Sequence, residues 1–191
     1  MAGASPSFSE VHVVRTVIAL KSRVGRKKLL REIGIGEGSM RTILKKLKAG
    51  GFIDSGKTGH LLNGSGVEYL NGYMKKFTAP FKIYANDIVG GRKTGVVVRG
   101  VSGKITTGVK ERDIAVRTGA SGAIVLKYDG NLKKLTFPDE VQSTGDFPEF
   151  ENEIKSLNID FNSGDVLVVA FSDDYIVSEN AVLEIALSLA R

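Results

Sequence analysis

The run from Glu37 to Ala49 admits one regular structure. Met40, Ile43, Leu44 and Leu47 recur at i, i+3, i+4 and i+7, which lines one stripe of a helix with apolar groups, while Arg41, Lys45 and Lys48 fall on the opposite face. Such a helix has one side for a core and one for an anion. Gly50-Gly51 ends it, because glycine reaches the left-handed conformation of a C-terminal cap at little cost. Phe52-Ile53 then begins an extended segment, and Phe52 to Asp54 can pair with His60 to Leu62 around Ser55-Gly56-Lys57-Thr58-Gly59. The pattern predicts a helix over residues 37–49 and a hairpin over 51–62.

The basic face matters more once the charge is divided along the chain. Residues 1–80 carry 14 Lys+Arg against 5 Asp+Glu, a net of +9, whereas residues 81–191 carry 13 against 16, a net of −3. The front part is therefore suited to a polyanion and the rear part to something else. At 191 residues and 42% hydrophobic composition the chain can bury a real core in one or two domains. It has no cysteine, which excludes disulfides, thiolate metal sites and cysteine nucleophiles. No apolar run reaches the ~18 residues of a membrane span, and the start, Met1 to Ser7, lacks the layout of a signal peptide. The expectation is a soluble cytoplasmic protein with no membrane contact.

Two further helices are expected ahead of the basic one. Ser9 caps a run from Glu10 to Leu20, and Arg26 to Ile33 makes a short second helix broken by Gly34-Ile35-Gly36. Two helices joined by a glycine-containing turn are the helix-turn-helix layout. After the hairpin, Asn63-Gly64-Ser65-Gly66 closes the loop, and Val67, Leu70, Tyr73, Met74 and Phe77 show helical spacing. Thr78-Ala79-Pro80 ends that helix, which puts the domain boundary at residue 80.

Residues 81–191 read as a small α+β domain with a mixed or antiparallel sheet. Strands are expected over Phe81 to Val89 and Gly95 to Arg99, joined by Gly90-Gly91-Arg92-Lys93-Thr94. Val109 to Thr118 reads as a helix. Ala123 to Tyr128 and Lys134 to Phe137 flank the turn Asp129-Gly130-Asn131, Phe150 to Leu157 is helical, Val166 to Phe171 is a buried strand, and Ser178 to Ala190 is a closing amphipathic helix.

Residues 9 to about 77 resemble the winged helix-turn-helix domains of prokaryotic transcription regulators. Leu29 to Glu32, Ser39 to Leu47, Gly50 to Ile53 and Leu62 to Gly66 carry the likeness, with Asn63 standing where many such domains have threonine. The whole chain is similar to archaeal two-domain proteins with this domain in front and an uncharacterised α/β domain behind, through Lys110 to Asp113, Gly119 to Ala123, Gly164-Asp165 and the final helix. The resemblance implies a rear domain that senses a ligand or pairs subunits.

The DNA-contacting candidates follow from position. Ser39, Arg41, Thr42 and Lys45 lie where a recognition helix reaches base edges; Lys46 and Lys48 are better placed for phosphates, as are Arg26, Lys27 and Lys28 on the preceding helix. Lys57, Thr58 and His60 sit on the wing. In the rear domain Gly90-Gly91 with Arg92 and Lys93 can form an anion-binding turn, Arg112 and Asp113 open a helix, and Asp173-Asp174 follow a buried strand where α/β folds bind ligands. Plain turn chemistry, a surface ion pair and helix capping are the competing accounts of these three sets.

One motif points elsewhere. Gly51 to Thr58 satisfies G-x-x-x-x-G-K-[ST], the phosphate-cradling loop of nucleotidases, and Val166 to Phe171 before Asp173 resembles a strand ending at a magnesium-binding acid. That loop works between an entering strand and a leaving helix, and here an amphipathic helix enters while Gly59 to Gly64 is not helical. The sequence thus predicts a homodimeric transcription regulator that binds double-stranded DNA and responds to an unidentified small molecule. No cofactor, metal site or catalytic set is identified. The alternatives are a metabolite-processing enzyme with a winged-helix regulatory domain, a protein-binding adaptor, and an ATPase.

Overall fold

The computed structural model describes residues 8–139 and 144–191. The chain is α+β and divides into two compact units, Met1–Met74 and Lys75–Arg191.

The first unit is a helix-turn-helix followed by a hairpin and a last helix. Helix α1 (Glu10–Ala19) buries Val11, Val14 and Val17; α2 (Arg26–Ile33) buries Leu29 and Ile33; α3 (Glu37–Ala49) buries Met40, Ile43, Leu44 and Leu47. These side chains make one core with Leu20, Val24, Ile53, Leu62 and Leu70. Ser9 is the N-cap of α1, where its N–H donates to His12 Nδ1 at 3.0 Å. Arg15, 3% exposed, donates from α1 to the carbonyls of Glu32 and Ile33 and so fills the orphan acceptors at the end of α2.

Strands β1 (Ile53–Gly56) and β2 (Gly59–Leu62) pair antiparallel with Ser55 opposite His60. Val24 adds a single bridge to β2, since Val24 and His60 exchange both backbone hydrogen bonds at 2.9 Å. Gly59 is required there, because its φ is +128° and a Cβ would lie 2.5 Å from the Val24 carbonyl oxygen. Asn63 does not close the hairpin as a loop residue. Its Oδ1 accepts from Gly66 N at 3.0 Å and its amide nitrogen donates to Gly51 O at 2.9 Å, so it caps α4 (Gly64–Met74) and ties it to the end of α3.

Helix α4 stops at Met74, short of Phe77. Phe77 instead forms an antiparallel bridge with Val98 and is fully buried in the second unit, which moves the boundary from residue 80 to residue 74. The helical spacing of Phe77 is thus coincidental.

The second unit is built on a five-stranded sheet in the order β3-β4-β7-β5-β6, antiparallel throughout: β3 (Phe81–Ile83), β4 (Arg92–Val98), β5 (Gly122–Asp129), β6 (Lys134–Thr136) and β7 (Val166–Ser172). Both faces of the central strands are buried, which is why β7 reads as a continuous apolar run. Helices α5 (Val109–Arg117) and α7 (Tyr175–Leu189) pack on one face, where Thr94 and Ser178 hydroxyls meet at 2.9 Å. On the other face Phe150 and Ile154 of α6 (Pro148–Ser156) join a core with Val97, Leu126, Leu167 and Val169.

The strand expected over 81–89 is cut short, and the cause is a carboxylate. Glu153 on α6 accepts from Tyr84 N at 2.9 Å and Ala85 N at 2.7 Å, and Asp87 accepts from Glu149 N and Phe150 N at the start of α6. The backbone donors of Tyr84 and Ala85 are therefore spent on the Glu153 carboxylate instead of on a ladder. The ladder resumes at Arg92, so Arg92, Lys93 and Thr94 lie in β4 and not in a turn. Helix α7 also departs from expectation: it starts at Tyr175 and is buried around most of its circumference instead of being amphipathic.

Candidate nucleic-acid interface

Helix α3 presents Arg41, Lys45 and Lys48 on one exposed face because Met40, Ile43, Leu44 and Leu47 commit the other to the core. With Arg26, Leu44, Ser55 and His60 these cations line a groove of about 370 Å³ between the start of α2, α3 and the hairpin. Four cations on three turns of α3 and the start of α2 make a positive potential suited to a phosphate backbone.

Not every predicted cation enters that groove. The Lys46 ammonium sits 5.4 Å from the Phe8 ring centroid, on another side of α3. Lys27 and Lys28 are exposed on α2, with Lys28 3.6 Å from Glu32 one turn along. Lys57 and Thr58 form the exposed tip of the hairpin. Thr42 donates its hydroxyl to Gly38 O at 2.9 Å, and Ser39 is half-buried in the first turn.

His60 faces Ser55 across the strand pair, with Nδ1 2.8 Å from Oγ. Burial and then the nearby Arg26 and Lys48 charges hold its pKa below the usual imidazole value, so the ring is neutral near pH 7. His12 is likewise lowered, by burial and then by Arg15.

Glu37 was not singled out by sequence, yet it organises the cations. One oxygen, Oε1, accepts from Arg41 Nη2 at 3.0 Å and lies 3.3 Å from Arg26 Nη2. All three side chains are about half exposed or more, and such pairs contribute only about 0.2–1 kcal/mol to stability. The i, i+4 spacing of Glu37 and Arg41 on α3 is the available signal in the sequence.

The motif Gly51 to Thr58 is a strand and a hairpin turn in the structure, and β2 follows where a nucleotide-binding loop needs a helix. No set of amides is aimed at a phosphate by a helix N-terminus there, so the stretch lacks the geometry of that loop.

In the second unit the predicted ligand residues do not converge. Arg92 donates from Nε to Asp173 O at 2.9 Å and lies over the Tyr175 ring. Lys93, one residue on, points to the opposite face, where its buried ammonium donates to Asn86 Oδ1 and Gly91 O; burial lowers its pKa against the opposing pull of Glu153 and Asp87. Asp174 caps α7, accepting from Ile176 N at 2.8 Å. Arg112 and Asp113 pair with each other at 3.0 Å on the surface of α5. A cleft of about 380 Å³ lies elsewhere, between β6, α6 and residues 158–161, with the stacked rings of Tyr128 and Phe161 and the cations Lys133, Lys134 and Lys155 in its lining. Its parts are scattered over the sequence, so no local pattern marks it. Among the described residues no cluster of metal-ligating side chains is present, and no described helix is long and apolar enough to cross a membrane.

A family model described as a domain of unknown function (DUF4443) matches residues 89–189, more than half of the chain. The chain belongs to the DUF4443 family. A second model, described as the PH0730-like N-terminal domain, matches residues 11–68, from α1 into α4. Among solved structures the chain is similar to "Hypothetical protein PH0730 from Pyrococcus horikoshii OT3", at 23% identity and a TM-score of 0.82 over 96% of this chain and 93% of that one. At that identity the likeness shows a shared fold. No curated protein matches the chain.

Proposed function

We propose that this DUF4443 protein is a cytoplasmic DNA-binding transcription regulator. Helix α3 enters the major groove with Ser39, Arg41, Thr42 and Lys45 toward base edges, while Lys48, Arg26 and the hairpin residues Lys57, Thr58 and His60 contact the backbone. The observation that carries this is the groove itself, with four cations and a neutral histidine arranged between a helix-turn-helix and a hairpin. The protein acts as a homodimer on this account, which sets recognition helices on half-sites about 34 Å apart or a multiple of that.

The second unit serves as a sensor of a small molecule or as the dimerising element, and acts by binding, not by catalysis. The Tyr128–Phe161 cleft supports the sensing role, because its volume lies within the range of small-molecule sites and its lining combines stacked rings with charged groups of both signs, Lys133, Lys134 and the Lys155–Glu151 pair beside Asp160. An electrophoretic mobility-shift titration with the intact chain tests the DNA-binding role. Retarded duplex at low salt that is released as salt rises is expected, with Arg41→Ala weakening any selected site; no retardation at low salt would sink it.

A further inference from the structure

We propose that Glu37 makes this groove selective for DNA sequence, by holding the Arg41 guanidinium where it reads a guanine. The inference rests on the DNA-binding role of α3 and adds to it the residue that sets specificity.

Glu37 is the first residue of α3, so its carboxylate stands at the end of the helix that leads into the major groove. Its Oε1 takes one N–H of Arg41 from the next turn and reaches Arg26 on α2 as well. Among the described residues it is the one carboxylate paired with a cation of the groove. Arg41 keeps its remaining N–H donors, in a plane fixed by the guanidinium, and those suit the N7 and O6 acceptors of guanine. A carboxylate at this place is also repelled by every phosphate that approaches. That repulsion falls equally on all sequences, whereas the orientation it gives Arg41 is repaid only at guanine. A difference in affinity between sequences is the result.

A purely structural role would look different. If Glu37 only tied α2 to α3 through Arg26, its loss would lower stability and weaken binding to every duplex in proportion, leaving base preference unchanged.

The test uses the full chain and its Glu37→Gln, Arg41→Ala and double variants, with a thermal melt to establish that each folds. Each is used to select duplexes from a randomised library, and each is titrated against the selected duplex and against alternating poly(dA-dT), which has no guanine. The wild type should select a motif with a fixed guanine. Glu37→Gln should bind poly(dA-dT) about threefold to tenfold more tightly, having lost one negative charge, and its guanine preference should drop by about tenfold. Arg41→Ala should lose the preference, and adding Glu37→Gln to it should cost no more. The same motif with undiminished discrimination by Glu37→Gln overturns the proposal. So does wild-type DNA binding with no guanine preference, which leaves the DNA-binding role standing; absence of any duplex binding by the wild type overturns both.

Discussion

The Arg15 guanidinium on α1 donates to the Ile33 carbonyl at the end of α2 at 2.9 Å, and its second terminal nitrogen reaches the Glu32 carbonyl at 2.7 Å. A buried charge therefore holds α2, the helix that precedes α3. Arg15→Met should destabilise the first unit by about 2–4 kcal/mol, since two carbonyls lose a charged donor in a dry place. Amide exchange resolved by mass spectrometry should show protection falling across α1–α4 and not across the sheet; equal loss in both units, or none, counts against this.

Gly66 is packed where no side chain fits. A Cβ on it would lie 1.9 Å from the Phe52 carbonyl oxygen. Gly66→Ala must therefore push α4 away from the end of α3, at a cost of about 1–3 kcal/mol or more. A denaturation midpoint unchanged from the wild type would show that the helix shifts freely.

The two histidines, His12 and His60, are the only ones in the chain, and both have pKa values lowered in the folded state. The unfolded chain then binds protons more readily, so stability rises with pH across this range. Their contribution is complete above the unfolded value of about 6.5 and is lost as pH falls below it. Lowering pH from 7.5 to 5.5 should weaken protection in α1–α4 more than in β4 and β7. DNA affinity should move the other way, because phosphates beside His60 would act against the burial and the Arg26 and Lys48 charges that hold it neutral, and so favour its protonation. Affinity that is flat or falls on acidification, measured on Lys57→Gln as well to exclude the hairpin tip, contradicts that assignment of His60 to the interface.

Asp87 caps α6 from outside the helix, through Glu149 N at 2.8 Å and Phe150 N at 3.1 Å. Asp87→Ala should cost about 0.5–2 kcal/mol, the usual worth of a cap. Urea denaturation would reveal it, and because Asp87 belongs to the second unit and lines no part of the groove, DNA affinity should not change.

What was legible in the residues was local and periodic. The stripe Met40, Ile43, Leu44, Leu47 specifies α3 and with it the exposed side of Arg41, Lys45 and Lys48, and Asp129-Gly130-Asn131 specifies the β5–β6 turn. What escaped depends on partners far away in the chain. Nothing near Tyr84 announces that Glu153 will take its N–H and end β3. Lys93 looks like a turn cation until the register of β4 against β7 places it inside, opposite Phe171. Phe77 fits the helical period of α4 and leaves it because Val98 offers a strand to pair with. The groove is half visible in the sequence: its cations stand out, but Glu37, which pairs with Arg26 and Arg41, and Ser55, which holds His60, do not.

The central claim is that the α3 groove binds the DNA backbone and bases through the cations named here. Fluorescence anisotropy of a labelled duplex, titrated with the intact chain at a series of salt concentrations, tests it most directly. The logarithm of the affinity should fall linearly with the logarithm of salt with a slope of roughly −3, from the backbone cations Arg26, Lys48 and Lys57, and the slope should shrink by about 2 in Arg26→Gln/Lys48→Gln. No binding at about 50 mM salt, or a slope that the double substitution leaves unchanged, would contradict the account.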